Sequence, residues 1–195
     1  GKSTQISVIG NEGMVGISAV MGECVIPTSV ISLSDGHVLR LDKEIFKRTF
    51  EHSESFRRIL LRYLAAVMAD IGQTTVCARY HSLEQQLCRW LLAGLDRLQS
   101  SEIVATHEVI AAILGVRRET VTSIAGKLEQ DGLIQYSRGH ISIVDPCALK
   151  SRACECYEVI KNQYDVILPV PDDRIHVIEA GCRLPNSINT TDAFA

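Results

Sequence analysis

The sequence of 195 residues lacks the features that mark several classes of protein. It has no apolar run near the ~18 residues of a transmembrane helix and no signal peptide, so we expect a soluble, cytoplasmic protein without membrane association. Its seven cysteines include no pair with the CxxC spacing of zinc sites. Their odd number favours reduced thiols over a disulfide framework.

An excess of one charge is also missing, since 20 basic and 23 acidic residues leave a net charge of −3. A nucleic acid would therefore have to bind a local basic patch. There are no paired carboxylates in a plausible cleft, no nucleophile elbow, no phosphate loop and no metal-ligand cluster. Five histidines show no ligand spacing and are interpreted as surface or capping residues: His37, His52, His81, His107 and His176. We expect a protein that is not an enzyme and that carries no metal and no cofactor.

The stretch of residues 106–134 has the pattern of two helices joined by a glycine turn. Thr106 can cap the first helix, and Gly115 ends it because a tight turn favours a residue that tolerates positive φ. The second helix begins near Arg117 and Arg118 and has one apolar face. This pattern is typical of a DNA-binding helix-turn-helix, and the alternative is an ordinary helical hairpin in a core. The residues of the apolar face are Val121, Ile124, Ala125 and Leu128.

A β-hairpin is predicted directly after these helices. Residues 133–137 and 140–144 read as its strands, and Arg138-Gly139 is its turn. A short strand over residues 103–105 precedes the first helix. A hairpin with a basic tip directly after a helix-turn-helix occupies the position of a DNA-binding wing.

A long helix is predicted from Ser53 to about Tyr80. Apolar residues at alternating spacings of three and four give it the a/d stripe of a two-stranded coiled coil, hence a dimer interface. The alternative is a helix buried within its own domain. The stripe consists of Leu61, Leu64, Met68, Ile71, Thr75 and Ala78. A second apolar face, suited to packing on strands, consists of Ile59, Leu60, Tyr63 and Val67.

Residues 5–41 are predicted to form three or four strands, with a turn at 10–13 and a hairpin of 30–33 and 37–41 closed by Ser34-Asp35-Gly36. These are too few strands for a self-contained sandwich or barrel. Either the chain begins midway through a β domain or the strands pack against a partner protein, and we favour the first interpretation. A short helix, 43–50, follows.

The C-terminal region begins with Asp145-Pro146, an N-cap followed by proline at the first helical position, and predicts one helix to about Tyr164. Cys154 and Cys156 lie two residues apart in that helix. Their side chains should point roughly 200° apart, so they could not bind one metal ion. We interpret these thiols as structural. Residues 165–195 are predicted to be a loose extension.

Taken together, residues 5–150 resemble the Crp/Fnr family of bacterial transcription regulators. The sequence GVRRETV, residues 115–121, closely matches the start of that family's recognition helix, and residues 10–13 are similar to the turn motif of its cyclic-nucleotide-type β-roll. The resemblance implies an α+β fold in four parts. These are a partial, jelly-roll-like β-roll sensor domain (1–52), a dimerisation helix (53–80), a winged helix-turn-helix domain (81–147), and a C-terminal helix and loose tail (148–195).

The resemblance also implies roles on DNA. Arg118 corresponds to the arginine that reads a guanine edge and Glu119 to the acidic residue that accepts from a cytosine amino group, pairings that suit the major groove. Ser123 departs from the family pattern, which usually has a further arginine there, so the operator sequence does not carry over. The other predicted DNA-binding residues are Thr106, Arg117, Thr122, Arg138 and His140. The expected partners are a palindromic operator in double-stranded DNA, a second copy of the chain and RNA polymerase.

Cyclic-nucleotide binding in that family resembles a phosphate clamp with an arginine after the glycine-rich turn. Here no Lys or Arg occurs from Ser3 to Leu39, and residues 23–28 read ECVIPT. A buried phosphate needs a cation or a helix N-terminus to offset its desolvation. We therefore predict that the chain does not bind cyclic AMP in the family's usual way.

A winged helix can also dock a protein, and the modest net charge keeps that alternative open: a protein-interaction module without sequence-specific DNA binding. Exposure of Arg117, Arg118 and Arg138 would favour DNA. Burial of Arg118 in a protein contact would favour the interaction module.

Overall fold

The computed structural model describes residues 6–11, 13–17, 29–32, 37–98 and 102–167. Its elements are α1 (Lys43–His52), α2 (Glu54–Tyr80), α3 (Leu83–Leu98), β1 (Glu102–Val104), α4 (His107–Leu114), α5 (Arg118–Gln130), β2 (Ile134–Ser137), β3 (His140–Ile143), α6 (Pro146–Arg152) and α7 (Cys156–Ile167). The predicted α+β class, helix-rich with one small sheet, is confirmed. Within the described ranges, no helix is long and apolar enough to cross a membrane.

The helices begin where the sequence supplies capping side chains. The carboxylate of Asp42 accepts the backbone N–H of Glu44 at 2.9 Å, and the hydroxyl of Ser53 accepts that of Phe56 at 3.3 Å. Ser82 and Gln85 form a reciprocal capping box, in which each side chain accepts the backbone N–H of the other residue. These caps satisfy backbone donors that have no partner inside the helix.

Helices α3, α4 and α5 and the sheet share one apolar core, the winged-helix core. The sheet is antiparallel in the order β1-β3-β2, and the register of β2 on β3 pairs Tyr136 with Ile141. Fully buried branched side chains fill the space between sheet and helices, as close packing requires. They include Leu87, Leu91, Leu92, Ile103, Ile110, Leu128, Ile141 and Leu149.

The N-terminal strands predicted over residues 6–41 are not formed by the described residues there. Residues 6–10, 29–32 and 37–41 carry no strand, and residues 18–28 and 33–36, with the predicted hairpin turn, lie outside the described ranges. A strand is stable only when it pairs with other strands and buries one face. The side chains of Val38 and Leu39 are fully exposed, so this segment buries no such face. The turn at residues 10–13 is confirmed, because Gly13 N donates to Gly10 O at 3.2 Å.

Helix α2 packs its second apolar face against helices rather than strands. Leu60 and Tyr63 are buried beside Phe46 of α1, and Tyr164 of α7 packs against the same group. Met14 and Ile17 also pack there but belong to no strand, so for the described residues the prediction of a strand-packed face is wrong. Ile59 is 60% exposed and takes no part in it.

The helix predicted from residue 146 to about 164 is broken in two. Helix α6 ends at Arg152, its C-cap Ala153 adopts an extended conformation with φ −71° and ψ 159°, and α7 begins at Cys156. The break turns the chain so that α6 packs on α3 and α7 packs on α2. Burial of apolar residues on both helices stabilises the broken form more than one continuous helix would be stabilised by its periodic pattern. The predicted tail from residue 168 onward lies outside the described residues.

Candidate DNA-binding surface

The turn between α4 and α5 has the geometry that the glycine predicted. Gly115 adopts the left-handed conformation, φ 68° and ψ 29°, and Val116 N donates to Ala111 O at 2.9 Å. A side chain with a Cβ is strained in this conformation, so glycine is the favoured residue. Arg117 then stands in extended conformation as the N-cap of α5 and makes no side-chain capping bond.

Helix α5 divides into a buried and an exposed face, as its periodicity predicted. Val121, Ala125 and Leu128 are buried against α4 and the sheet. The opposite face presents polar side chains to solvent at the N-terminal half of the helix. These exposed residues are Arg118, Glu119, Thr122 and Ser123. Their roles on DNA remain predictions.

His107, interpreted from the sequence as a surface or capping residue, instead joins the two helices to the wing. Its Nδ1 lies 3.0 Å from the Thr122 hydroxyl, and its ring stacks on Tyr136 of β2 with centroids 4.1 Å apart. Because the Thr122 hydroxyl donates to Arg118 O at 3.1 Å, it accepts the Nδ1 proton of His107. The contact sets the position of Thr122 relative to the wing.

Burial and a neighbouring charge both act on the pKa of this histidine. Burial lowers the pKa of His107, and the positive charge of Arg118 lowers it further. Its Nε2 is buried and has no hydrogen-bond partner among the described residues. A neutral ring tolerates that placement, whereas a second N–H would be left without an acceptor. No spacing rule in the sequence signals such a contact, because it joins residues from three elements.

The wing is a two-residue hairpin. Arg138 has φ 50° and Gly139 φ 87°, the paired positive values of a type I′ turn. Gly139 O accepts from Ala105 N at 2.8 Å, which ties the turn to the residue before α4. Arg138 is exposed at the tip. His140 lies 2.8 Å from Glu102 across the sheet, so its ring already has a carboxylate partner.

Three exposed arginines lie around the exposed face of α5. Arg117 and Arg118 stand at its N-terminus and Arg138 at the wing tip, and none of them forms an ion pair with another described residue. Lys127, further along α5, pairs with Glu84 at 2.8 Å. Thr106, the exposed N-cap of α4, accepts from Val109 N at 3.2 Å. Guanidinium groups without internal partners are suited to bind phosphate or a guanine edge.

Comparison with known proteins finds relatives of part of this chain. Residues 85–152 match the model of the Crp-like helix-turn-helix domain. The transcriptional regulator SdrP of Thermus thermophilus is 28% identical over 124 residues, which cover 57% of this chain and 53% of SdrP.

Solved structures of related regulators are also similar. A Crp/Fnr-family transcriptional regulator from Eubacterium rectale is 27% identical with a TM-score of 0.45, over 56% of this chain and 51% of that one. A CRP-family transcriptional regulator from Thermus thermophilus is 25% identical with a TM-score of 0.48, over 55% and 57% of the two chains.

The matched residues 85–152 are here called the Crp-like domain. The resemblance to Crp/Fnr regulators is confirmed by this match and by the likeness to SdrP. The Crp-like domain contains every residue predicted to bind DNA. The matched segment spans about half the length of SdrP.

The predicted dimer stripe lies on α2, just before the Crp-like domain. Leu61 is 53% and Met68 72% exposed, Thr75 and Ala78 are exposed, and Leu64 and Ile71 are half-buried. The stripe therefore faces outward from this chain. Its role as an interface remains a prediction.

The structure brings together four side chains of types that can bind a metal, three cysteines and one histidine. Cys154 and Cys156 flank the break between α6 and α7, so the angle expected for a continuous helix does not apply. Their sulfur atoms, Cys77 Sγ and a ring nitrogen of His81 all lie within 4.8 Å of one another. The sequence did not reveal this grouping, because its residues come from two distant parts of the chain.

Proposed function

We propose that this protein is a sequence-specific DNA-binding transcriptional regulator that acts as a homodimer on a palindromic operator. The observation that carries the proposal is the exposed polar face of α5. Arg117 and Arg118 at its start form no ion pair with another described residue, and Arg138 lies on the neighbouring wing. Helix-turn-helix proteins place the N-terminal residues of the second helix against base edges. The likeness to SdrP covers only 53% of that regulator. The operator and RNA polymerase are therefore proposed as partners of this chain.

In this proposal Arg118 reads a guanine and Glu119 a cytosine, while Arg117, Arg138 and Thr106 contact the backbone. Thr122 is held by His107, which restricts its rotation before DNA arrives. Ser123 is exposed one position further on and offers a hydroxyl that discriminates weakly between bases.

The outward-facing stripe on α2 supports the homodimer. Leu61 and Met68 lie seven residues apart, one heptad, and both are more than half exposed. Two copies joined along this stripe would place their α5 helices about 34 Å apart, one turn of DNA.

The experiment is a selection of binding sites from a random DNA library, followed by fluorescence titration of the enriched sequence. A twofold-symmetric site should emerge, and the affinity should fall steeply as salt rises because bound arginines release counterions. Arg118→Ala should weaken the selected site by about 1–3 kcal/mol and relax the preference at one base pair. Arg48→Ala is the matched control, since Arg48 is exposed on α1, outside the Crp-like domain.

Different outcomes separate the alternatives. Equal weakening of all sequences by Arg118→Ala would make Arg118 a phosphate contact. Failure of any sequence to enrich would contradict the DNA proposal and favour a winged helix that docks a protein.

We also propose that the chain does not bind cyclic AMP through an arginine clamp. The absence of Lys and Arg between Ser3 and Leu39 supports this, although residues 23–28 lie outside the described ranges. Calorimetry of the full-length protein with cyclic AMP tests it, and micromolar binding would overturn the claim.

A further inference from the structure

The four side chains Cys77, His81, Cys154 and Cys156, here called the thiol cluster, meet where α2 ends and α6 passes into α7. Cys77 is in the last turn of α2, and His81 is that helix's C-cap. The three thiols are buried together as a separate group, at most 4% exposed, and the His81 side chain is 14% exposed. Three buried thiols beside an imidazole are the ligand types of a zinc site, whereas ordinary apolar packing does not require an imidazole.

Two opposite distances within the thiol cluster match the edges of a tetrahedron around one ion, and all of its ligand atoms lie within 4.8 Å of one another. Cys77 Sγ and Cys154 Sγ are 3.5 Å apart, and Cys156 Sγ lies 3.4 Å from His81 Nδ1. Zinc bonds of ~2.3 Å to sulfur and ~2.0 Å to nitrogen at tetrahedral angles give ligand–ligand edges of about 3.5–3.8 Å. The ligand atoms are too close together to bind separate irons of an iron–sulfur cubane.

The surroundings orient the ligands as a metal site requires. His81 turns Nδ1 toward the thiols, while its Nε2 is 3.0 Å from the carboxylate of Glu155, which lies between Cys154 and Cys156 in the sequence. A carboxylate on the far nitrogen of a metal-bound histidine fixes its tautomer and orientation. Gln73 Nε2 donates to Cys156 Sγ at 3.1 Å, a bond that favours the thiolate form.

We propose that Cys77, His81, Cys154 and Cys156 bind a single Zn²⁺ ion as a Cys₃His site. Three cysteine sulfurs and one histidine nitrogen form a closed tetrahedral set of the structural kind, with no open position for a substrate. On binding, the three thiols release their protons to solvent and three Zn–S bonds and one Zn–N bond form. The proposal is independent of DNA binding.

The ion would join parts of the chain that are far apart in sequence. Cys77 and Cys154 are separated by 77 residues, and the Crp-like domain lies between them. Zinc would therefore link the C-terminal end of α2 to the connection between α6 and α7. It would hold the Crp-like domain at one angle to α2.

The first measurement is the metal content of the full chain, purified anaerobically without added metal and again after incubation with Zn²⁺. One zinc per chain should resist dialysis. Titration with Co²⁺ in place of zinc should give thiolate-to-cobalt charge transfer and the intense visible bands of a tetrahedral site. Zinc should also protect three thiols from alkylation.

Variants then assign the ligands. Cys154→Ser should remove tightly bound zinc, whereas Cys147→Ser, on α6 outside the thiol cluster, should keep it. Glu155→Gln should weaken zinc binding by about 10–100-fold, because it removes the carboxylate behind His81 without touching a ligand. Glu155 is largely exposed, so this variant should fold even if the cysteine variant does not.

Two results would overturn the proposal. One is substoichiometric zinc together with a cobalt spectrum that lacks thiolate bands in the reduced wild-type protein. The other is a Cys77–Cys154 disulfide that forms readily while the reduced thiols bind no metal, which would make the thiol cluster a redox pair.

Discussion

The winged-helix core and the junction of α2, α3 and α7 are held together by different chemistry. In the core, branched apolar side chains such as Leu91, Ile110 and Leu128 are fully buried. In the junction, Asp70 is buried to 2% exposure and lies 3.4 Å from Arg97, with the thiol cluster at the other end of the interface. Apolar packing is insensitive to pH and metal, whereas the junction depends on charge pairing and, if zinc binds, on metal supply.

The hydrogen bonds around Asp70 show how much of the junction depends on one carboxylate. Its oxygens accept from Ser7 at 2.7 Å and from Tyr164 at 3.5 Å, and Arg97 also stacks over the Tyr164 ring. One side chain thus links the N-terminal segment, α2, α3 and α7. A buried charge with several partners is costly to leave half-paired. The junction should therefore tolerate single substitutions less well than the core does.

The largest effect is expected from Asp70→Ala. It leaves the buried Arg97 guanidinium without its carboxylate and should lower the free energy of unfolding by about 4 kcal/mol. Urea denaturation followed by circular dichroism measures it. The double variant Asp70→Leu/Arg97→Met should recover much of the loss, because it removes both charges. Equal instability of the single and double variants would mean that shape rather than charge governs the junction.

In the winged-helix core, Leu128→Ala should lower the free energy of unfolding by about 3 kcal/mol, since it opens a cavity at a fully buried site. The same denaturation experiment applies. Ser123→Ala, exposed on the same helix, is the control and should change stability by less than about 0.5 kcal/mol. A loss at Leu128 larger than that at Asp70 would reverse the proposed ranking of the two regions.

A smaller effect is expected at the start of α4. Thr106→Ala removes the hydroxyl that accepts Val109 N and should cost about 1 kcal/mol. Thr106→Ser keeps the hydroxyl and should restore most of the stability. If the serine variant is as unstable as the alanine variant, the methyl group rather than the cap provides the stabilisation.

The smallest effect is a pH dependence within the Crp-like domain. The pKa of His107 lies below its ordinary value of 6.5, mainly because of burial and also because of Arg118. As the pH falls below 6.5, the unfolded chain binds a proton that the folded chain binds only at lower pH, so stability decreases across that window. His107→Gln should flatten this slope. The readout is the urea midpoint as a function of pH.

Much of the Crp-like domain could be predicted because its signals are local. The glycine at position 115, the apolar face of α5 and the turn at Arg138-Gly139 each specify a conformation within a few residues. The N-terminal strands could not be predicted in the same way, since alternation alone does not supply a pairing partner. The break in the C-terminal helix was missed because packing on α2 and α3 outweighed a continuous helical pattern.

The amino-acid sequence by itself determined where most of the helices begin, the two faces of α5 and the outward stripe of α2, because capping and periodicity act over one or two turns. Only the tertiary structure decided that His107 supports Thr122, that Asp70 pairs with Arg97 and that Cys77 meets Cys154 and Cys156. Those contacts join residues 15, 27 and 77 or more positions apart, and their geometry depends on how whole helices pack. Spacing along the chain carries no information about such distances until the fold brings the residues together.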